Sequence, residues 1–328
     1  YHMCEALSYT GIGVDIEHEM KKSVKVYLDS VNSGFAKDLS PSEMELIDNS
    51  LKLMNNDQTS DAIILLKKSK KDTSAILGLL GDLHRLVNEY EDAKKYYLKA
   101  IERGNMEVFS SLGHLFFQEE RYEDAKEYYF RAIDHGDENL YTYVAMIFFM
   151  LEQYDQAEKY YLKAIKNNEN VLTPEGLLEG SVTRRLLAYL YFLQAKNFDQ
   201  AMELLLTKDN NKENKYHLAN LYLWDENFSK SYESFNEFLE NNRSNVGLSY
   251  FGTYINLLIA KEQYYKAKEF LELPQFDLKS HFKPIWFALM TLMQDDFPHE
   301  IKKMGSELQE SVDEILEEIK FLKEKYRR

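Results

Sequence analysis

The chain of 328 residues has a single cysteine, five prolines and thirteen glycines. The lone Cys4 excludes an internal disulfide framework and suits a reducing compartment. The scarcity of proline and glycine favours helices over many short strands. No apolar run approaches the roughly 20 residues that a bilayer crossing requires. We therefore expect a folded, helical, cytoplasmic protein without a membrane partner.

Positive charge is also in short supply. Lys and Arg number 40 against 55 Asp and Glu, which leaves a formal net charge of −15. Such a surface repels phosphate backbones. The basic clusters at residues 67–71 and 94–95 are short and fall beside or inside helical patterns, where a solvated helix face explains them. The sequence therefore predicts no nucleic-acid partner.

Residues that could carry chemistry are scattered along the chain. None of the eight histidines pairs with another at the spacing of metal ligands. Gly11 and Gly13 are too few for a loop that cradles phosphate, and the serine-nucleophile pattern Gly-x-Ser-x-Gly is absent. We therefore expect no enzyme activity, no cofactor and no metal site.

What the chain has in abundance is a repeat. Residues 90–101, 122–133 and 154–165 read almost the same, at an offset of 32 residues. Each segment has an alanine, an aromatic residue four positions later and another alanine three positions after that, which places all three on one helix face. The three triplets are Ala93, Tyr97 and Ala100; Ala125, Tyr129 and Ala132; and Ala157, Tyr161 and Ala164.

A second apolar-periodic stretch precedes each of these helices, at residues 76–87, 108–117 and 141–150. Short polar turns join the two stretches. Gly104 and Gly136 follow the second stretch, where a glycine in the left-handed conformation ends a helix. The unit is therefore predicted to be a helix–turn–helix hairpin. Weaker copies of the small–large–small pattern extend the array to about seven hairpins over residues 41–274.

The hairpins resemble the tetratricopeptide repeat. That family has a bulky residue, Leu-Gly and an aromatic residue on the first helix, and alanine, aromatic and alanine on the second. The first-helix positions that carry the resemblance are Leu77, Leu80 and Gly81 in one unit, and Phe109, Leu112, Gly113 and Phe116 in the next. The period is shorter than the family's 34 residues, and the Gly-Asn links look more like the related Sel1 repeats. The resemblance implies an all-α, right-handed superhelical solenoid of helix–turn–helix repeats, with a C-terminal capping helix.

Two segments depart from the regular array. Residues 1–36 look like the turn and second helix of a partial Sel1-like repeat, whose first helix would be cut short. Near 167–182 the spacing lengthens, which indicates either a tolerated surface loop or a functional element.

The end of the chain is amphipathic rather than repetitive. Residues 275–328 are predicted to form capping helices, because the last repeat of a solenoid needs a cover with a polar outer face. The apolar seam of the final helix consists of Leu308, Val312, Ile315, Ile319, Leu322 and Tyr326. The same heptad spacing permits the alternative that two copies of the chain associate through a coiled coil.

The resemblance also implies where a partner would bind, because the first helices of such repeats line a concave groove. The candidate groove residues are Arg85, His114, Phe117, Met146, Phe149, Met150, Arg185, Tyr189, Phe192, Asn220 and Trp224. Aromatic rings and adaptable thioethers suit an apolar peptide or helix. We therefore expect a protein-interaction scaffold or adaptor. The alternative is a ligand-sensing regulatory segment of a larger protein.

Overall fold

The computed structural model describes residues 39–56, 58–69, 72–168, 180–206, 214–241, 248–273, 282–293 and 306–327. Within these ranges all regular structure is helical. The described residues form two compact units, one of residues 39–168 with 180–183 and one of residues 184–327. The opening segment 1–36 and most of the predicted insertion near 167–182 lie outside the described residues.

The first unit consists of consecutive helix pairs. Its helices are α1 (Pro41–Asn55), α2 (Thr59–Leu66), α3 (Ser74–Leu86), α4 (Tyr90–Glu102), α5 (Val108–Gln118), α6 (Tyr122–Asp134), α7 (Tyr141–Met150) and α8 (Tyr154–Asn168), with a 3₁₀ turn at Glu138–Leu140 before α7. Helix α3 packs against α4, α5 against α6 and α7 against α8. Helices α2, α4 and α6 also pack against the first helix of the next pair, so the hydrophobic core is continuous across these pairs.

The second unit continues the alternation of first and second helices. Its helices are most of α9 (Gly180–Leu193), then α10 (Phe198–Leu205), α11 (Asn214–Trp224), α12 (Phe228–Asn241), α13 (Leu248–Ala260), α14 (Tyr264–Leu271), α15 (Lys283–Leu292) and α16 (Ser306–Lys325). Helix α11 packs against α12 and α13 against α14. None of the described helices combines the length and apolar composition that a membrane crossing needs.

The small–large–small triplets lie in the core, as the sequence predicted. In the pair α3–α4, the side chains of Ala93, Tyr97 and Ala100 are all fully buried. A Cβ atom added to Gly81 would lie 2.5 Å from the ring of Tyr97. The glycine of the Leu-Gly motif is therefore required because the aromatic ring of the second helix occupies the space that its side chain would need.

The turns inside the pairs α3–α4, α5–α6 and α7–α8 are helix C-terminal motifs built without glycine. Asn88, Glu120 and Glu152 have φ of 60°, 58° and 58°, in the left-handed region. The amide N–H of the residue after each of them donates to a carbonyl five residues back, as in Arg121 to Phe116 at 2.9 Å, which is the Schellman pattern. Between pairs the predicted glycines serve instead, with φ of 87° at Gly104 and 103° at Gly136.

Candidate functional site

The first helices α3, α5 and α7 are more deeply buried than the second helices that pair with them. In α3 every residue from Ala75 to Arg85 is buried, whereas α4 buries only its triplet. The first helices are enclosed because they contact their own second helix and the second helix of the preceding pair. Polar groups on these helices therefore cannot form hydrogen bonds with water. Their hydrogen bonds must come from partners within the protein.

A buried polar cluster links α3, α4 and α5. The hydroxyl of Tyr97 donates to Asp82 Oδ1 at 2.7 Å, and Ser111 also hydrogen-bonds to this carboxyl group. Burial raises the pKa of Asp82, while Arg85 nearby and the two hydrogen bonds lower it. Burial and the negative charge of Asp82 likewise raise the pKa of Tyr97 far above its usual value. The cluster fixes the position of the Arg85 guanidinium on the first-helix face.

His114 on α5 lies beside this cluster. Its Nδ1 donates to the carbonyl oxygen of Ser110 at 2.7 Å, and its ring meets those of Tyr129 and Tyr143 edge-on at 5.2 Å and 4.6 Å. Burial and the positive charge of Arg85 lower the pKa of His114 to about 4. The imidazole is therefore neutral near pH 7, and because Nδ1 carries the proton, Nε2 is a hydrogen-bond acceptor.

Several polar atoms on these first helices lack a partner. Within the described part of the chain, Arg85 Nε, His114 Nε2 and Gln118 Oε1 are buried with no hydrogen bond. An unpaired buried polar atom costs about 1–3 kcal/mol, so native proteins rarely keep one without a reason. One donor and two acceptors on consecutive first helices match the groups that a peptide backbone offers, namely carbonyl oxygens and amide N–H groups.

The structure places the predicted groove residues at two levels of exposure. His114 and Phe149 are partly exposed. The other residues are buried by the chain itself: Arg85, Phe117, Met146 and Met150 in the first unit, and Arg185, Tyr189, Phe192, Asn220 and Trp224 in the second.

Two of the predicted groove rings have a structural role that the sequence does not indicate. Phe117 meets Tyr122 edge-on at 5.7 Å, and Phe149 meets Tyr154 at 5.8 Å. In both pairs the ring near the end of the first helix packs on the first residue of the second helix, which closes the hairpin turn. Their contact with a partner stays a prediction.

In the second unit, the chain's own C-terminal segment covers two of the predicted groove residues. The ring of Tyr326 stacks on Phe192 at 4.8 Å and meets Trp224 at 5.7 Å. The Tyr326 hydroxyl donates to the carbonyl oxygen of Phe192 at 3.2 Å. Tyr326 is 2% exposed, and burial raises its pKa. The surface formed by Phe192 and Trp224 is therefore already covered by the aromatic side chain of Tyr326.

Charged groups hold the same segment in place. Lys261 Nζ donates to the carbonyl oxygen of Tyr326 at 2.9 Å and to Glu226 at 2.9 Å. Lys323 Nζ pairs with Glu262 at 2.6 Å, and this pair raises the pKa of Lys323 and lowers that of Glu262. Glu226 and Glu262 are the left-handed turn residues of their pairs, so the repeat turns supply the anchors.

One group of potential metal ligands was not foreseen from the sequence. His84, Glu89 and Asp92 place one ligand atom each within 4.8 Å of one another at the turn between α3 and α4. His84 Nδ1 already hydrogen-bonds to Glu89 at 2.5 Å, and both carboxylates are exposed. A histidine that donates to a neighbouring carboxylate and stacks on Tyr96 at 5.1 Å explains this arrangement without a metal.

Sequence reasoning missed other contributors to the first-helix surfaces. Tyr143 packs on His114, but it stands outside the recurring motif, so the sequence pattern does not mark it. Tyr326 was recognised only as the last position of an apolar seam. Nothing in its spacing indicated that its ring reaches α9 and α11.

Comparison with known proteins identifies three of the hairpins. Residues 74–103, 107–134 and 140–171 match the tetratricopeptide repeat family. A search of curated protein sequences finds no match.

Several solved structures share the fold. A tetratricopeptide repeat protein from Parabacteroides merdae is 15% identical with a TM-score of 0.54, over 86% of this chain and 100% of that one. Pseudomonas aeruginosa pilF is 16% identical with a TM-score of 0.52, over 63% of this chain and 94% of that one. A chain of the APC/C hetero-tetramer Cut9–Hcn1 is 12% identical with a TM-score of 0.52, over 92% of this chain and 52% of that one. The closer likeness to Sel1 repeats stays a prediction.

Proposed function

We infer that this chain, whose residues 74–171 carry three tetratricopeptide repeats, is a protein-interaction scaffold that holds a peptide segment of a partner on its first helices. The repeat family supports the scaffold role. The finer assignment, a peptide site on α3, α5 and α7, is our own proposal and rests on the buried polar atoms of Arg85, His114 and Gln118 that have no partner in the described residues.

The chemistry of these atoms indicates the form of the ligand. His114 Nε2 and Gln118 Oε1 accept hydrogen bonds, and Arg85 Nε donates one. An extended peptide offers amide N–H groups and carbonyl oxygens in alternation, so its backbone can satisfy these buried atoms once the side chains that cover them move aside. The partly exposed side chains of Tyr143 and Phe149 add apolar contact area, and rigid aromatic rings are common anchors in peptide recognition.

The other predicted groove residues belong to the same proposal. Phe117, Met146 and Met150 line the buried side of α5 and α7 and would support the aromatic surface. Arg185, Tyr189 and Asn220 hold the corresponding first-helix positions of the second unit. The alternative of a ligand-sensing segment depends on the opening of the chain, which lies outside the described residues, and it stays a prediction.

The proposal is tested with a phage-displayed library of random peptides selected on the full chain. Fluorescence polarisation then measures the affinity of a selected peptide for wild type and variants. His114→Phe keeps an aromatic ring between Tyr129 and Tyr143 but removes the acceptor, and should weaken binding at least about tenfold. Phe149→Ala should weaken it similarly.

Leu162→Ala is the matched control. Leu162 is 48% exposed on α8, a second helix of the same repeat as Phe149, so its loss should leave the affinity unchanged. Circular dichroism confirms that each variant is folded. Equal binding by wild type and His114→Phe, or an equal loss with Leu162→Ala, would show that the peptide does not bind on the first helices.

A further inference from the structure

The final helix lies on the surface that the repeats of the second unit leave for a partner. Helix α16 packs against α13 and α15, which are both first helices, and Tyr326 beyond it contacts Phe192 in α9 and Trp224 in α11. A helix that only capped the last repeat would contact the end of the array. This one also reaches the first helices of earlier pairs.

We propose that the first-helix face of the second unit is a docking surface for an amphipathic helix of a partner protein, and that α16 with Tyr326 is its intramolecular competitor. The inference deepens the proposed function, because it names the kind of ligand that a first-helix face takes. It concerns a different unit from His114 and Phe149, so the two proposals can fail separately.

The repeats build this surface without help from α16. Tyr254 on α13 stacks on Phe235 of α12 at 3.7 Å, and its hydroxyl lies 2.8 Å from that of Ser231. Phe251 stacks on Phe282 at 5.6 Å. These side chains hold the first helices in place through contacts between repeats, so removal of α16 would leave a formed platform.

Helix α16 touches that platform along a narrow seam. Val312, Ile319 and Tyr326 are 0%, 4% and 2% exposed, and each follows the previous one by seven residues. Ile315 and Leu322, which lie between them, and Leu308, which precedes them, are only partly buried. A narrow apolar stripe of this kind is typical of a helix that lies in a groove. Another helix with the same heptad spacing can therefore replace α16.

The anchors at the end of the seam define the partner more closely. Lys323 pairs with Glu262, and both side chains are largely exposed, at 40% and 65%. Exposed pairs of this kind contribute little to stability, so the buried ring of Tyr326 is the main anchor. A competing helix therefore needs an aromatic residue at its C-terminal end, and a lysine three residues before it adds only a small preference.

Attachment to the chain gives α16 an advantage over a free helix. A segment joined by a short linker faces its site at an effective concentration in the millimolar range. The partner helix must therefore bind more tightly than α16 or reach the site when α16 opens. The wild-type chain should accordingly bind a free helix much more weakly than a chain whose own helix has been disabled.

The test uses a fluorescein-labelled peptide of residues 306–328 as the probe. The receptor is the full chain, either wild type or with Ile319→Asp and Tyr326→Ala, which disable its own seam. Fluorescence polarisation should show that the disabled chain binds the peptide at least about tenfold more tightly than wild type. A peptide with Tyr326→Ala should bind at least about tenfold more weakly, as expected for a buried aromatic anchor.

A peptide with Phe321→Ala is the matched control. Phe321 lies on the same helix but is 57% exposed, so its loss should not change the affinity. Three results would each overturn the proposal: no binding to the folded disabled chain, equal binding to the wild-type chain, or an equal loss with the Phe321 and Tyr326 peptides.

Native-state hydrogen exchange of the wild-type chain tests the proposal without any variant that could unfold. A helix that yields to a competitor must open while the repeats remain folded. Amides of α16 should therefore exchange through an opening of lower free energy than those of α13. If α16 and α13 exchange only together, through global unfolding, then α16 belongs permanently to the core and the proposal is wrong.

Discussion

Gly113 in α5 and Gly104 after α4 are both required by the local geometry, but for different physical reasons. A Cβ atom added to Gly113 would lie 2.7 Å from the ring of Tyr129. At Gly104 nothing lies within 4 Å of the added atom, but φ is 87°. Gly113→Ala should therefore destabilise the protein by roughly 1–3 kcal/mol through overpacking, despite the better helix propensity of alanine.

Gly104→Ala should cost roughly 1 kcal/mol, because alanine in the left-handed conformation is strained whatever the available space. Urea unfolding of the two variants and of wild type measures both values. The tyrosine explains the first cost only if replacement of Tyr129 by a smaller side chain reduces the effect of Gly113→Ala. If the two mutations are simply additive, the clash with Tyr129 is not its cause.

His114 should make the stability of the protein depend on pH. The pKa of its imidazole falls from 6.5 to about 4 on folding. Below pH 6.5 the unfolded chain takes up a proton that the folded chain refuses, so stability falls as the pH drops from about 6.5 to about 4. The loss is on the order of 2 kcal/mol, since partial exposure reduces the full linkage value.

His114→Phe should remove this part of the pH dependence. Asp82 acts in the opposite sense, because its raised pKa gives stability at low pH that is lost as the pH rises through the folded-state value. The measurement is therefore a difference: urea unfolding of wild type and His114→Phe at about pH 7 and about pH 4. Identical changes in the two proteins would mean that His114 does not titrate as described.

For individual residues, the sequence predicts which side chains pack in the core better than it predicts their hydrogen bonds. The buried alanines and tyrosines follow from the period, because one helix face must be small and the facing ring must fill it. The link between Asp82 and Tyr97 could not be predicted, since a hydrogen bond over 15 residues depends on the angle at which two helices cross.

Helix α16 should be attached mainly through one ring. Tyr326→Ala removes a side chain that is 2% exposed and packed on Phe192 and Trp224, so it should destabilise the second unit by about 3–5 kcal/mol or release the helix. Phe321→Ala, on the exposed face, should change stability by less than about 0.5 kcal/mol. Limited proteolysis followed by mass spectrometry detects release as cleavage between residues 293 and 328.

The two variants form a matched pair, because each removes one aromatic ring from the same helix. Rapid cleavage of Tyr326→Ala alone is the expected result. Equal resistance of both variants would mean that Val312 and Ile319 suffice to hold the helix and that the ring contacts add little.

An amphipathic pattern predicts that α16 is a helix but does not predict the surface on which it packs. The seam from Leu308 to Tyr326 correctly indicates a helix with one apolar face, and its spacing fits a cap and a coiled coil equally well. Which surface receives the seam depends on the rings of Phe192 and Trp224, more than 100 residues earlier in the chain. No local period contains that information, whereas the repeat hairpins pair with their neighbours in the sequence and are therefore predictable.

For the whole molecule, the position of α16 bears on self-association. A coiled coil between two chains would bury Val312, Ile319 and Tyr326, and the same side chains are already buried within one chain. The two arrangements exclude each other. The formal net charge of −15 adds repulsion between copies, which salt screens over about 10 Å at 0.1 M.

The wild-type chain should therefore be a monomer by light scattering, even at high protein concentration and high salt, where repulsion no longer hides a weak dimer. The chain with Ile319→Asp and Tyr326→Ala should also remain a monomer, because its seam is broken. A wild-type mass that doubles with concentration while the broken-seam variant stays monomeric would show that α16 exchanges between copies. In that case the second unit also binds the helix of a second chain.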